Sequence, residues 1–231
     1  VGTPQNGVGI NGGSGGGGSD CSPTRPNAGG TANRETGTTN PAPTQGYDGG
    51  AVPGSSGGGY ESAGGGGAGS VGETVTGGNP GPGGKGGAGL ECLIAGPLNS
   101  SVGYSGPGPD SYGWFAGGGG GSGYGAAGGA GGGSPSVPSP YAGAGKGASY
   151  SPGTDGTNAQ PASGSGGGGS SPAEPSGQIG HAGGSGIVIL RYKIGELGGT
   201  AKATGGSISF YNSKTIHVFQ GSGTFTAPGS F

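Results

Sequence analysis

Large apolar side chains concentrate near the C-terminal end of the chain, where three short runs have the pattern of β-strands. The first run, Gly186 to Tyr192, is continuous, rich in β-branched residues and bounded by glycine. This pattern predicts a strand that is buried on both faces. The second run covers Ser207 to Tyr211 and the third Lys214 to Phe219, with Asn212–Ser213 as a turn between them.

The second and third runs alternate in polarity, as half-buried strands do. Ile208 and Phe210 alternate with serines, and Ile216 and Val218 alternate with Thr215 and His217. A fourth short strand is predicted at Gly223 to Thr226. The sequence therefore predicts a small antiparallel β-module over residues 183–231, because three or four strands are about the minimum for an independent sheet.

Residues 1–182 have a different composition, which is dominated by glycine. The chain of 231 residues contains 73 Gly and 19 Pro, and 62 of the glycines precede residue 181. Such an excess excludes an average globular enzyme. Collagen is excluded as well, because unbroken runs such as Gly117 to Gly121 interrupt its three-residue period. The net charge of −2 is too small to cause the self-repulsion that is typical of charged disordered tails.

Glycine runs are poor helix formers and have no side chains to fill a sheet, but they can lie extended in the polyproline II conformation. Such helices can pack side by side through backbone hydrogen bonds and Cα–H···O contacts. Glycine clusters alternate with Pro-, Ser- and Asn-rich stretches that are typical of loops. We predict a polyproline II (polyglycine II-type) bundle over residues 1–182 and essentially no α-helix; the alternative is a set of Gly/Ser linkers around small β-elements.

Charge and hydropathy limit the classes of partner. Residues 1–180 carry 4 basic and 9 acidic side chains, and the remainder carries 4 basic and 1 acidic. Eight cations at a pI near 5.6 do not form the basic patch that nucleic-acid binding requires. No apolar stretch has the length of a membrane span, so no membrane insertion is expected. The chain has no Met, which indicates either removal of the initiator or a missing upstream segment.

No residue pattern predicts catalysis, a metal site or a cofactor. Glycine-based motifs match by chance in this composition, and Lys85 and Lys146 lack the Ser or Thr of a phosphate loop. His181 and His217 have no Cys, Asp or Glu at metal-ligand spacing, so we interpret both as structural. The chain is therefore predicted not to be an enzyme. Cys21 and Cys92 form either one disulfide bridge or two separate thiols, and no cellular compartment follows from them.

Aromatic residues provide the candidate recognition surface. Amphipathic rings on loops supply contact area at a low entropic cost. The cluster Tyr112, Trp114 and Phe115 follows a Pro/Gly loop, and further rings lie beside glycine. The candidate receptor-binding residues are Tyr104, Tyr112, Trp114, Phe115, Tyr124 and Tyr141. The alternative interpretation is that these rings shield the edges of the bundle or form a subunit contact.

The C-terminal sequence resembles a known type of protein. Gly183 to Tyr192 (GGSGIVILRY) followed by Ala203 to Ala227 (ATGGSISFYNSKTIHVFQGSGTFTA) is similar to glycine-rich modules of bacteriophage tail-fibre and virion appendage proteins. The resemblance implies a non-enzymatic structural protein of the virion, in a tail fibre or capsid fibre. It also implies packed polyglycine II helices, contacts with other virion proteins, and loops that bind a host surface glycan or protein.

Two other functions stay open at this stage. The chain could be a purely architectural decoration or an extracellular fibre subunit, or an ice-binding polyproline II bundle. For the virion structural protein we expect a homo-oligomer, with a trimer favoured, because a small β-module and a backbone-dominated body gain buried surface by association.

Overall fold

Short β-strands and one 3₁₀ turn are the regular elements of the described part of the chain. The computed structural model describes residues 7–12, 14, 16–19, 27–32, 45–53, 60–76, 80–96, 102–104, 106, 113–129, 131, 142–150, 153–171, 180–194 and 203–227. The elements are β1 (Leu90–Glu91), the 3₁₀ turn Leu93–Ala95, β2 (Trp114–Phe115), β3 (Val188–Lys193), β4 (Ser207–Tyr211) and β5 (Lys214–Phe219). No α-helix occurs in these ranges, so the predicted fold class is confirmed.

Upstream of β3, extended segments run side by side and are joined by backbone hydrogen bonds. The bonds from residues 60–70 to residues 116–122 show their spacing: Ser62 donates to Ser122, Gly65 to Gly119 and Ala68 to Ala116, with N···O distances of 2.8, 2.9 and 2.8 Å. Donors and acceptors recur every third residue. A period of three is that of the polyproline II helix, in which the backbone groups point outward at about 120° to one another.

Residues 117–123 form the centre of this bundle and are buried along their whole length. We call them the central segment. They and the residues beside them bond to segments 60–70, 80–91, 125–131, 142–150 and 162–171. The central segment has no side chain larger than that of Ser122, because neighbours on all faces leave no room for one. An ideal Cβ at Gly119 would lie 1.9 Å from the carbonyl oxygen of Gly167.

Segments farther from the centre carry side chains on the faces that have no neighbour. In residues 80–91 the positions Pro82, Lys85 and Ala88 are exposed or half-buried, whereas the glycines between them are buried. Residues 71–76 lie at an edge and bury only Gly72 and Val75. Non-glycine positions therefore follow the threefold period. A segment has more of them when fewer of its sides are covered by neighbouring segments.

The C-terminal residues form a three-stranded antiparallel sheet in the order β3-β5-β4. Strands β4 and β5 have the predicted bounds, and the turn between them is Asn212–Ser213. Both turn residues have positive φ, 47° and 57°. This is the geometry of the two-residue hairpin turns whose twist matches that of the flanking strands.

Three expectations for the sheet are wrong. The first predicted strand begins at Val188, is an edge strand and is not buried on both faces; the central strand β5 buries Thr215 and His217 as well as Ile216 and Val218. Ile208 and Phe210 are 46% and 63% exposed, because they pair with His217 and Thr215 on the face of the sheet that does not pack on the bundle. In place of a fourth strand there is one isolated bridge, between Thr204 and Thr226.

One face of the sheet packs on the bundle. Ile216 and Val218 form a buried cluster with Ala95 and Val102, and Phe115 packs against it. The guanidinium of Arg191, on the same face, donates to the carbonyl of Ile94 at 3.3 Å. The module is thus held to the segment that follows β1.

Bundle-type pairing continues past the predicted boundary at residue 182. Gly184 donates to Ser165 and Gly164 donates to Ser185, each with an N···O distance of 2.9 Å. The compositional change and the change in backbone pairing therefore lie a few residues apart.

Candidate recognition surface

The predicted receptor-binding residues fall into two places that are far apart. Trp114 and Phe115 form β2, which pairs with β1, and Tyr104 bridges to Trp114 through backbone hydrogen bonds of 3.0 and 3.1 Å. These three residues lie beside the sheet. Tyr124 lies ten residues beyond Trp114, about 31 Å along an extended backbone. Tyr112 and Tyr141 lie outside the described residues.

The aromatic residues beside the sheet make structural contacts. Phe115 packs against the cluster that includes Val102 and Ile216. The hydroxyl of Tyr104 donates to the carbonyl of Pro161 at 2.5 Å. The indole of Trp114 lies so close to Gly106 that a Cβ there would be 2.1 Å from Nε1. All three rings are half-buried, and Phe115 joins the bundle to the sheet.

Tyr124 belongs to a second group, which we call the tyrosine cluster: Tyr60, Tyr124 and Tyr150. The ring centroids of Tyr60 and Tyr124 are 5.0 Å apart and tilted by 55°. Those of Tyr124 and Tyr150 are 4.8 Å apart and stacked within 26°. Tyr60 is 49% exposed and Tyr150 is 40% exposed. The cluster therefore presents contiguous aromatic surface to solvent.

The directions of three segments bring these tyrosines together. Tyr124 directly follows the central segment, and Tyr150 ends residues 142–150, which run parallel to it. Tyr60 begins residues 60–70, which run antiparallel to it. The last residues of two segments and the first residue of a third thus meet at the end of the bundle opposite the sheet. Tyr60 and Tyr150 were not among the predicted site residues, because the segment directions cannot be read from the order of the sequence.

The cluster has the chemistry of a recognition surface rather than of a reactive centre. Stacked tyrosines offer apolar ring faces bordered by hydroxyl groups that donate and accept hydrogen bonds. Such rings contribute rigid contact area with little loss of conformational entropy. A sugar ring or an extended peptide has the complementary arrangement of apolar and hydroxyl or amide groups.

His217 is a structural residue of the sheet, as predicted. It is fully buried, and its Nδ1 lies 2.7 Å from the carbonyl oxygen of Gly205. Its ring stacks on Tyr192 and meets the edge of Phe225. His181 lies half-buried in residues 180–187.

Other candidate chemistry is limited in the part of the chain that the structure describes. Within those ranges no group of three or more His, Cys, Asp or Glu side chains could hold a metal ion. Over the same residues, no helix has the length and apolar character to cross a membrane. Cys92 is exposed and carries a free thiol, and Cys21 lies outside the described residues.

Comparison of the chain with protein-family models, with curated proteins and with solved structures finds no match.

Proposed function

We propose that this chain is a non-enzymatic structural component of a bacteriophage virion, part of a tail fibre or capsid fibre, that contacts the host surface through the tyrosine cluster. The observation that carries the proposal is the position of three partly exposed tyrosines at the bundle end opposite the sheet. A fibre subunit that is attached to the virion at the sheet end and contacts the host at the tyrosine end would have this arrangement. The similarity of the C-terminal sequence to phage appendage modules supports the same function.

The bundle suits a rigid spacer that places this surface at a distance. Its segments are held by backbone hydrogen bonds on several sides, so the position of the tyrosines is fixed by the bundle and not by loop conformation. A prepositioned surface binds with a smaller loss of conformational entropy. The ligand class that we propose is a host surface glycan or a surface-exposed protein.

Binding to an array of bacterial surface polysaccharides and to whole bacterial cells tests the proposal. The double variant Tyr60→Ala/Tyr150→Ala should lose binding by at least about tenfold, which corresponds to 1.4 kcal/mol. Tyr47→Ala is a matched control, because Tyr47 is 38% exposed but bonds through its backbone to Gly67, toward the sheet end. Equal binding by the wild type and the double variant would contradict recognition by this cluster.

A purely architectural function is the second candidate, and one observation favours it. The face of the sheet that does not pack on the bundle exposes Val188, Ile208 and Phe210 by 56%, 46% and 63%. Ile208 and Phe210 are neighbours on this face, two residues apart in β4, and exposed apolar side chains that lie together are typical of subunit contacts. We propose that this face contributes to a homo-oligomer, with a trimer favoured. Sedimentation of Phe210→Ser should show a smaller species than the wild type, and an unchanged oligomer would exclude this contact.

A further inference from the structure

A groove of about 510 Å³ runs along the central segment and reaches the surface at the tyrosine cluster. Residues 119–122 form its floor. Residues 60–65 and 167–170, which both donate backbone hydrogen bonds to the central segment, form its sides. Tyr60 lines the groove and is 49% exposed. The groove and the cluster therefore share a side chain, and the volume of the groove lies within the range of about 300–1,000 Å³ that is usual for ligand sites.

Serine residues line the groove at its tyrosine end. Ser62 and Ser122 each lie two residues from a tyrosine of the cluster, which is about 6 Å along an extended backbone. Their Oγ atoms are 3.0 Å apart and hydrogen-bonded. Ser19, which bridges to Ser62, and Ser170 line the groove as well. Because hydroxyl groups both donate and accept hydrogen bonds, this end of the groove can pair with ligand hydroxyl groups in either sense.

The described lining of the groove is uncharged and carries little side-chain bulk. Its residues are glycine, serine and Ala63, with Tyr60 as the one large side chain. A charged ligand would lose hydration there without meeting an opposite charge among these residues, which is costly. Specific peptide binding depends on pockets for side chains, and a lining of glycine and serine has few groups to form them. Uncharged, hydroxyl-rich sugar rings are the ligand that this lining fits.

We propose that the tyrosine cluster and the groove form one site, which binds an extended, uncharged glycan. The inference rests on the proposed function, host recognition by the tyrosine cluster, and adds the chemical class of the ligand. One sugar ring stacks on Tyr60, and the sugars that follow lie in the groove with their hydroxyl groups against Ser62 and Ser170. The side of the groove from Tyr60 to Gly65 is about 16 Å long in extended geometry, which is enough for several sugar units in line.

An array of neutral and acidic bacterial surface polysaccharides tests the charge of the ligand. The polysaccharides that bind should be neutral, and an acidic polysaccharide among the strongest binders would overturn the proposal. Binding to host cells without binding to any polysaccharide, lost in Tyr60→Ala/Tyr150→Ala, would identify a protein ligand. That result would overturn the glycan and leave host recognition by the cluster intact. Binding to neither cells nor polysaccharides would overturn both.

Fragments of a bound polysaccharide test whether the groove is part of the site, and they need no variant. A trisaccharide should compete with the intact polymer at least about tenfold better than the single sugar, because only the longer fragment reaches from Tyr60 into the groove. Equal competition by the two fragments would restrict the contact to the tyrosine rings. It would overturn the proposal for the groove and leave recognition by the cluster intact.

The double variant Ser62→Ala/Ser170→Ala removes one hydroxyl group from each side of the groove without adding bulk. It should weaken binding of the trisaccharide by about tenfold and leave binding of the single sugar within about twofold. Ser70→Ala/Ser209→Ala is the matched control, because both serines are half-buried and neither is among the described lining residues. Equal trisaccharide binding by the two double variants would overturn the proposal. The fragment comparison decides the question if either variant does not fold.

Discussion

The hydroxyl of Tyr192 lies 3.0 Å from Nε2 of His217, across two paired strands of the sheet. A carbonyl oxygen only accepts hydrogen bonds, so the Nδ1 of His217 that faces Gly205 carries the hydrogen. In the neutral ring Nε2 then accepts from Tyr192. Both nitrogens of a fully buried side chain are thereby satisfied, which explains how an imidazole can lie in the central strand.

Tyr192→Phe should lower the free energy of unfolding by about 1–3 kcal/mol, because it leaves Nε2 of the buried His217 without its donor. Tyr211→Phe is the control: Tyr211 is 40% exposed, and the change should be within about 0.5 kcal/mol. Urea denaturation followed by near-ultraviolet circular dichroism measures both. Equal stability of the two variants would show that the hydrogen bond does not contribute.

Gly119→Ala should prevent folding or destabilise the bundle by about 3 kcal/mol or more, because the new methyl group would overlap the carbonyl oxygen of Gly167 and packed backbone cannot move aside. Gly186→Ala makes the same chemical change where a Cβ meets nothing within 4 Å. It should alter stability by less than about 0.5 kcal/mol. Thermal unfolding separates the two. Similar melting temperatures would contradict the close packing of the central segment.

The sequence predicted the strands of the sheet well and their burial poorly. The bounds of β4 and β5 follow from alternation and from the Asn212–Ser213 turn, which are local properties. Which strand lies in the centre depends on pairing between strands distant in sequence, and the apolar run at β3 gave no sign that it would be an edge. Phe210 is exposed because its face of the sheet is turned away from the bundle, and alternation alone does not say which face packs.

In the glycine-rich part, the sequence contains a signal for the open face of a segment but none for the direction in which a segment runs. The three-residue spacing of Pro82, Lys85 and Ala88 indicates a segment with one open face, and it can be read from the sequence. The meeting of Tyr60 with Tyr150 depends on the directions of two segments, which no local pattern encodes. The pairing of Trp114 with Glu91 likewise joins residues that are distant in sequence.

Phe115→Ala should act on stability and not on recognition. The ring packs against the cluster that joins the bundle to the sheet, and it is half-buried. Its loss should cost about 2 kcal/mol, below the 3–5 kcal/mol of a fully buried ring. Binding to host glycans, measured below the melting temperature, should stay unchanged. A variant of normal stability that fails to bind would instead assign Phe115 to the recognition surface.

Cys92 should react completely with a maleimide reagent in the folded protein without added reductant, because its thiol is free and exposed. Cys92→Ser should change stability by less than about 0.5 kcal/mol. A native disulfide to Cys21 would instead block labelling, and its removal would cost about 2–5 kcal/mol. Mass spectrometry of the labelled, undigested chain distinguishes the two states.

Ser213→Gly should stabilise the β4–β5 hairpin. Ser213 has a φ of 57°, in the left-handed region, where a side chain costs about 1–2 kcal/mol. Glycine removes that strain but loses about 0.5–1 kcal/mol more backbone entropy on folding, so the net gain should be about 0.5 kcal/mol. The same change at Ser209, within β4, has no strain to relieve and should destabilise the sheet. Opposite shifts of the urea midpoint are therefore expected, and a loss of stability at both positions would show that the turn is not strained.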